Sequence, residues 1–292
     1  MILTIGKFES IHLGHQKLIQ GVIRQAKQSN YTSAIMIFDP HPHSVFNSNY
    51  APLFTMDERV NLLEKTGIDK IIIQSFDQTF ATQPPEEFCR HIFAELGAKV
   101  VIVGEGYRFG HKRTGTVALM QEQAKIHNAE VQIIPHYQSG DKKISTSYIR
   151  EILSNPEEAK QLLGFPYFVM GKTQKGRQLG RTLGFPTLNL YPNTQAKFLP
   201  PNGVYVTTTY IKNTPYPSIT NIGTRPTVSN STAISVETHL LNASLDEMYE
   251  QDIKVEFLKF LRPEKKFESL EALKAQLSLD IIGGTKNATT VS

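Results

Sequence analysis

Apolar and polar positions run along this chain in two rhythms, and the rhythm changes once. In the first half, short continuous apolar runs at 2–5, 34–38, 70–73, 100–103 and 131–134 read as buried strands. The stretches between them have a helical period. Leu18, Ile19, Val22, Ile23 and Ala26 mark one apolar helix face, and 56–64 and 117–127 have the same character. Pro85 opens another helix that runs to Leu96, with Glu86 and Glu87 in the first turn, where the helix dipole favours acids. Strand and helix in alternation predict an open parallel α/β sheet with helices on both faces. Sheets of this kind bind ligands beyond the carboxyl ends of their strands.

After a helix at 147–153 and a short helical stretch from Asn155 to about Leu163, the pattern changes. Strands are predicted at 167–170, 204–211, 218–222, 235–241 and 253–261, with no helices between them. Turns such as Pro200-Pro201-Asn202-Gly203 separate them, which predicts a small antiparallel β-barrel. One helix over 269–279 closes the chain, with Ser269 as N-cap and Ala272, Leu273 and Leu277 on one face. The change of rhythm predicts two domains, 1–163 and 164–292.

Composition adds limits rather than detail. A chain of 292 residues, 40% of them hydrophobic, is long enough for two globular cores. It has no apolar run long enough to span a bilayer, and the apolar start is too short for a signal peptide. A cytoplasmic protein with no membrane partner is expected. Cys89 is the only cysteine, so an intrachain disulfide is excluded, and its place in a predicted helix suggests packing. A net charge of +4 suits an enzyme of anionic substrates and does not argue for a nucleic-acid partner.

Two segments carry candidate chemistry. The first, Gly6 to His15, follows a strand and opens a helix. His12 and His15 share one face of that helix start, Gly14 leaves room for a phosphate, and the free N–H groups of the first turn suit an anion. Imidazoles placed there can donate to charge that develops when a phosphate is attacked. A metal-binding pair lacks a third ligand, and two capping histidines are the plain structural alternative. Asp39, after the second strand, and Tyr107, Arg108 and Phe109, after the fourth, fall on the same sheet edge. The Gly-bounded aromatic–Arg loop suits a flat ring and its phosphate. Ser145, Thr146 and Ser147 put hydroxyls at a helix start, with Arg150 one turn in.

The second segment runs from Gly176 through Gly180 and Arg181 to Phe185-Pro186-Thr187-Leu188-Asn189. Glycines let a backbone close over phosphates, and arginines neutralise them. Thr187 and Asn189 share a face of an extended segment and offer oxygens to Mg²⁺. An exposed β-loop is the alternative. Glu237 lies on a predicted strand. Lining the barrel, it could take a proton from a substrate hydroxyl; turned outward, it would be solvated. Arg262 to Phe267 is either a lid or a charged link.

Together, His12–His15, Tyr107-Arg108-Phe109-Gly110, 180–189, 221–227 and 262–267 resemble the bacterial bifunctional riboflavin kinase/FAD synthetase family over nearly the whole chain. The resemblance implies a Rossmann-like nucleotidyltransferase domain that adenylylates FMN and a six-stranded barrel that phosphorylates riboflavin. It implies ATP contacts at Gly6, Phe8, Gly14, Ser145, Thr146, Arg150, Gly180, Arg181, Thr187 and Asn189. Catalytic roles fall to His12 and His15 and, as base on the ribityl hydroxyl, to Glu237. Flavin contacts fall to Asp39, Tyr107, Arg108, Phe109, Arg262 and Phe267. Mg²⁺ would enter with ATP, held by Thr187 and Asn189. Riboflavin, FMN, FAD, ATP, ADP and pyrophosphate are the implied partners. The family's usual Asp-Gly is Glu9-Ser10 here, whose extra methylene and Cβ are expected to crowd a tight turn. A second reading therefore keeps the kinase and leaves the N-terminal domain a nucleotide- or flavin-binding module. A third gives that domain another adenylyl acceptor.

Overall fold

Five strands, β1 (Ile2–Ile5), β2 (Ser33–Asp39), β3 (Lys70–Ser75), β4 (Val100–Gly104) and β5 (Glu130–Ile134), pair in parallel in the order β3-β2-β1-β4-β5. The computed structural model that resolves them describes residues 1–135, 137–139, 142–174, 186–192, 197–226, 232–241, 250–265, 268, 271–272, 274–276 and 278–281. The chain divides into two compact units, Met1–Thr146 and Ser147–Ser292.

In the first unit the strand order reverses between β1 and β4, so a crevice opens at their carboxyl ends. Helix α1 (Leu13–Ser29) buries Ile19, Val22, Ile23 and Ala26 and stops where Asn30 turns left-handed, at φ 54°. Helix α2 is the short Pro42–Phe46. Helix α3 (Met56–Glu64) starts with a reciprocal cap in which Thr55 and Glu58 each accept the other's backbone N–H. Helix α4 (Gln78–Ala81) and helix α5 (Pro85–Arg90) follow β3, and α5 continues as a π-helical turn, His91–Glu95. Helix α6 (Val117–Ile126) precedes β5. The core joins Leu3, Met36 and Val101 of the sheet to Phe88, Ile92 and Met120 of the helices. Cys89 lies in that core, where burial pushes its thiol up to about 12, so it packs rather than reacts. The pattern did not predict α2 and α4, which are too short for a 3.6-residue period to register. A two-residue hairpin, β6 (Gln138–Ser139) with β7 (Lys142–Lys143), was likewise not predicted.

Helix α7 (Thr146–Ile152) and helix α8 (Pro156–Leu163) precede the barrel. Asn155 caps α8, and Ala159, Leu162 and Leu163 are buried where the helix packs on the last strand. The compact units thus divide before these two helices, whereas the change of rhythm in the sequence falls after them. Strands β8 (Phe168–Gln174), β9 (Leu188–Pro192), β10 (Gly203–Ile211), β11 (Thr214–Pro226), β12 (Thr232–Leu240) and β13 (Asp252–Arg262) close an antiparallel barrel in the order β10-β11-β12-β9-β8-β13. Strand β9 is the one the apolar pattern did not single out. Inside the barrel, the buried hydroxyls of Thr207, Thr209, Ser218, Thr220 and Thr238 bond to one another at 2.8–3.2 Å. Each is therefore satisfied without water, and the network joins β10, β11 and β12. The expected C-terminal helix is present at 271–272, 274–276 and 278–281; its Ser269, Leu273 and Leu277 lie outside the described residues.

Candidate active sites

A cavity of about 650 Å³ opens at the carboxyl ends of the parallel strands. Its floor is the turn from Gly6 to the start of α1. Phe8 and Ile11 both sit in this turn with left-handed backbones, φ 42° and 45°. Bulky and β-branched residues rarely adopt that region, and each costs about 1–3 kcal/mol that the surroundings must offset. His12 caps α1: the His15 N–H donates to His12 Nδ1 at 3.2 Å, which leaves Nε2–H as the donor of that ring. The two imidazoles stack at 3.8 Å. Burial lowers His12 to about 4 and pushes His15 well below the usual imidazole range, His12 adding to the second effect. Both rings are thus neutral near pH 7 and act as dipolar donors, not as cations. His15 Nδ1 is buried and has no hydrogen-bond partner among the described residues. A Cβ on Gly14 would press to 3.0 Å from Tyr137 Cβ and 3.1 Å from His12 Cε1, so glycine is needed for close packing there.

The same cavity gathers Gly6, Phe8, Tyr107, Arg108, Phe109, Ser145 and Thr146. Phe109 is largely a core residue, its ring 5.2 Å from Phe88, whereas Arg108 is exposed. Asp39 ends β2, exposed and off the cavity wall. Arg150 belongs to the second unit, its guanidinium 4.7 Å above the Phe198 ring. The sequence reading missed the aromatic wall. Phe38 near the end of β2, Phe76 just after β3 and Phe80 in α4 pack edge-on or tilted at 5.5–6.1 Å, with Phe46 at the rim. It also missed Lys7, Lys112 and Arg113, which give the cavity a basic side. Phenylalanines at or within a few residues of the ends of β2 and β3 were the available signal.

Glu9 and Ser10 do not crowd the turn. Glu9, only 4% exposed, accepts the Leu53 N–H at 2.9 Å and the Tyr50 hydroxyl. His41 Nε2 lies 3.3 Å from the same carboxylate, a contact of charge and dipole rather than an aligned hydrogen bond. Burial lowers His41 to about 3, against the opposing pull of Glu9. The buried Arg59 guanidinium donates to the Lys7 and Phe38 carbonyls at 3.0 and 3.1 Å and supplies a compensating charge. Ser10 Oγ and Thr146 Oγ1 share a hydrogen bond of 3.0 Å.

In the barrel, antiparallel register places Asn189 beside Glu237 and Glu237 beside Asn221. Residues directly opposite in an antiparallel pair project to one face, so the three form a row across β9, β12 and β11. Val236 and Thr238 turn their side chains into the barrel, so Glu237 faces away from it and does not line the interior. It is half-buried there rather than fully solvated. Asn189 is buried in the row. His239 Nδ1 donates to the Pro186 carbonyl at 2.8 Å and so fixes the residue before Thr187. A side chain on Gly223 would collide with the Glu264 carboxylate, which comes over the Asn221 end of the row. Arg262, read as a flavin contact, is engaged elsewhere: its Nε and a terminal nitrogen hold both oxygens of Asp280, at 2.9 and 2.7 Å. Gly180, Arg181 and Phe267 lie outside the described residues. Thr187 and Asn189 offer hard oxygens that a divalent cation accepts. Among the described residues, no group of three or more His, Cys, Asp or Glu is placed to hold a metal alone.

An open sheet with a helix start at its reversal point, and a closed barrel with a polar cross-strand row, are two separate places for phosphate and nucleotide chemistry. The family model described as FAD synthetase matches residues 1–148, and the one described as riboflavin kinase matches 163–287. Similar proteins include the bifunctional riboflavin kinase/FMN adenylyltransferase of Escherichia coli (strain K12), 34% identical over 96% of this chain and 90% of that protein. The enzyme of the same description from Bacillus subtilis (strain 168) is 32% identical over 96% and 90%. A crystal structure described as a macrolide-efflux protein from Streptococcus pneumoniae superimposes with a TM-score of 0.86 at 26% identity, covering 96% of this chain and 91% of that one. This chain belongs to the bifunctional riboflavin kinase/FMN adenylyltransferase family.

Proposed function

We propose that the chain makes both flavin cofactors, phosphorylating riboflavin to FMN and then adenylylating FMN to FAD, each step with one ATP. The observation that carries the reading is the pairing of two separate constellations. A neutral histidine pair, a hydroxyl pair and an aromatic wall share one cavity in the stretch matched as FAD synthetase. A carboxylate stands in register with an amide in the stretch matched as riboflavin kinase.

In the kinase step, Glu237 takes the proton of the ribityl 5′-hydroxyl as its oxygen bonds to the γ-phosphorus and the bond to ADP breaks. Thr187 and Asn189 would hold the cation that accompanies ATP, which we take to be Mg²⁺; bound there, it would neutralise phosphate charge. In the adenylyl step, a phosphate oxygen of FMN attacks the α-phosphorus of ATP and pyrophosphate leaves. His12 Nε2–H and the His15 ring donate to the charge that builds on the α-phosphate, and Ser145, Thr146 and the first turn of α1 hold the nucleotide. The aromatic wall takes the flat flavin ring, with Tyr107 and Arg108 beside it. We assign residues 1–163 to the adenylyltransferase and 164–292 to the kinase, and place the reactions in the cytoplasm. No helix among the described residues is long and apolar enough to cross a membrane.

The kinase-only alternative was motivated by Glu9-Ser10, and both side chains have built partners. Chromatography of the products from riboflavin, ATP and Mg²⁺ tests the reading. FMN and FAD together are expected. FMN alone returns the kinase-only alternative, and neither product overturns both.

A further inference from the structure

The turn that carries His12 and His15 is left-handed at two bulky residues, Phe8 and Ile11, both fully buried. Nothing in their own side chains favours that backbone, so its shape depends on what holds the two residues between them. Glu9 is held hardest. Its carboxylate joins the Leu53 N–H and the Tyr50 hydroxyl, residues more than forty positions on, and touches His41. The segment it grips also carries Pro42, His43 and Phe46, which line the cavity. One buried carboxylate therefore ties the floor of the site to one of its walls. Gln16 Nε2 donates to the Ile11 carbonyl at 2.8 Å and secures the far end of the turn.

We propose that Glu9 is a positioning residue for adenylyl transfer: by bonding Tyr50 and Leu53 it holds the Phe8–Ile11 turn, and through that turn it aims the His12–His15 pair. This rests on the reading of the first unit as an adenylyltransferase. Aspartate, one methylene shorter, does not reach the same three partners from this backbone. Restoring Asp-Gly at positions 9 and 10 thus weakens the site instead of relieving it, and it also removes the Ser10–Thr146 bond.

The test uses the full chain and measures FAD formation from supplied FMN and ATP, with riboflavin phosphorylation as the internal control. Glu9→Gln keeps the side-chain shape and loses the charge; Tyr50→Phe removes one bond from the other side and leaves Glu9 in place. Each is expected to lower kcat, Glu9→Gln by about 10–100-fold, the scale of a small misplacement of reacting groups. KM for ATP should move much less, and kinase activity should not change. The decisive readout is the double variant with His15→Ala. If Glu9 acts through the histidines, Glu9→Gln should cost less than about 3-fold in that background, because residues acting as one unit are not additive. Losses that multiply, or wild-type kcat in both single variants, overturn the proposal while leaving the adenylyltransferase reading intact. A wild-type chain that makes no FAD overturns that reading and this inference with it.

Discussion

The two sites are assembled in opposite ways. In the first unit, groups from the ends of β1, β2, β3, β4 and β5 converge on one cavity, and residues as far apart as Ser10 and Thr146 share a hydrogen bond. In the barrel, the row Asn189–Glu237–Asn221 follows from antiparallel register alone, neighbour beside neighbour. The first arrangement depends on strained turns held by distant contacts and sets its chemistry in an open cavity. The second depends on a regular ladder pinned from inside by bonded hydroxyls, and it presents its chemistry on an outer face. A site built from register tolerates side-chain change as long as the ladder stands. A site built from turns is sensitive to anything that shifts a turn.

The sharpest way to break the comparison is to remove the chemistry from one site and read both products. Glu237→Gln should cut FMN formation by about 10²–10⁴-fold, the usual range of a general base, and leave FAD formation from supplied FMN unchanged. Retained kinase turnover would reassign Glu237 to the polar face of the sheet. His15→Ala should reduce FAD formation by about 10²–10³-fold with little change in KM, since the donor acts as charge develops. Phosphorylation of riboflavin should not respond.

Smaller effects sharpen the contrast between chemistry and support. Asp280→Ala leaves a half-buried Arg262 without its bidentate partner, and urea unfolding of the kinase half should fall by about 1–3 kcal/mol. KM for riboflavin should change less than 3-fold if Arg262 acts as an anchor for the terminal helix. A large rise in KM with unchanged stability would restore the flavin role.

The last effect concerns pH. His12, His15 and His41 all have folded values below the ordinary 6.5, with His12 at about 4 and His41 at about 3. The unfolded chain therefore binds more protons, and stability is full above about pH 6.5 and declines as pH falls towards 4 and below. Hydrogen exchange of amides in β1, β2 and β4 should quicken over that window more than exchange in β10 and β11. Equal acid sensitivity in both regions would show that the buried histidines do not set it.

Much of this molecule is legible in its residues. Apolar runs of four or five with helical intervals point to a parallel sheet, and strands that follow one another through Pro, Asn and Gly turns with no helix between point to an antiparallel barrel, because the length and spacing of apolar runs is a local signature. His12, Gly14 and His15 could likewise be placed at a helix start from spacing alone. What local spacing cannot carry is contact across the chain. Glu9 read as an intruder in a tight turn until Tyr50 and Leu53 appeared around its carboxylate. Arg262 showed no partner along the sequence, and only the structure brings Asp280 against it. Phe76 and Phe80 carried no signal of their own along the chain, and only the folded sheet brought them against Phe38 as a wall. Alternation put Glu237 on one side of its strand, but only the closure of the barrel decided which side was out, since inside and outside do not exist until the sheet curls on itself.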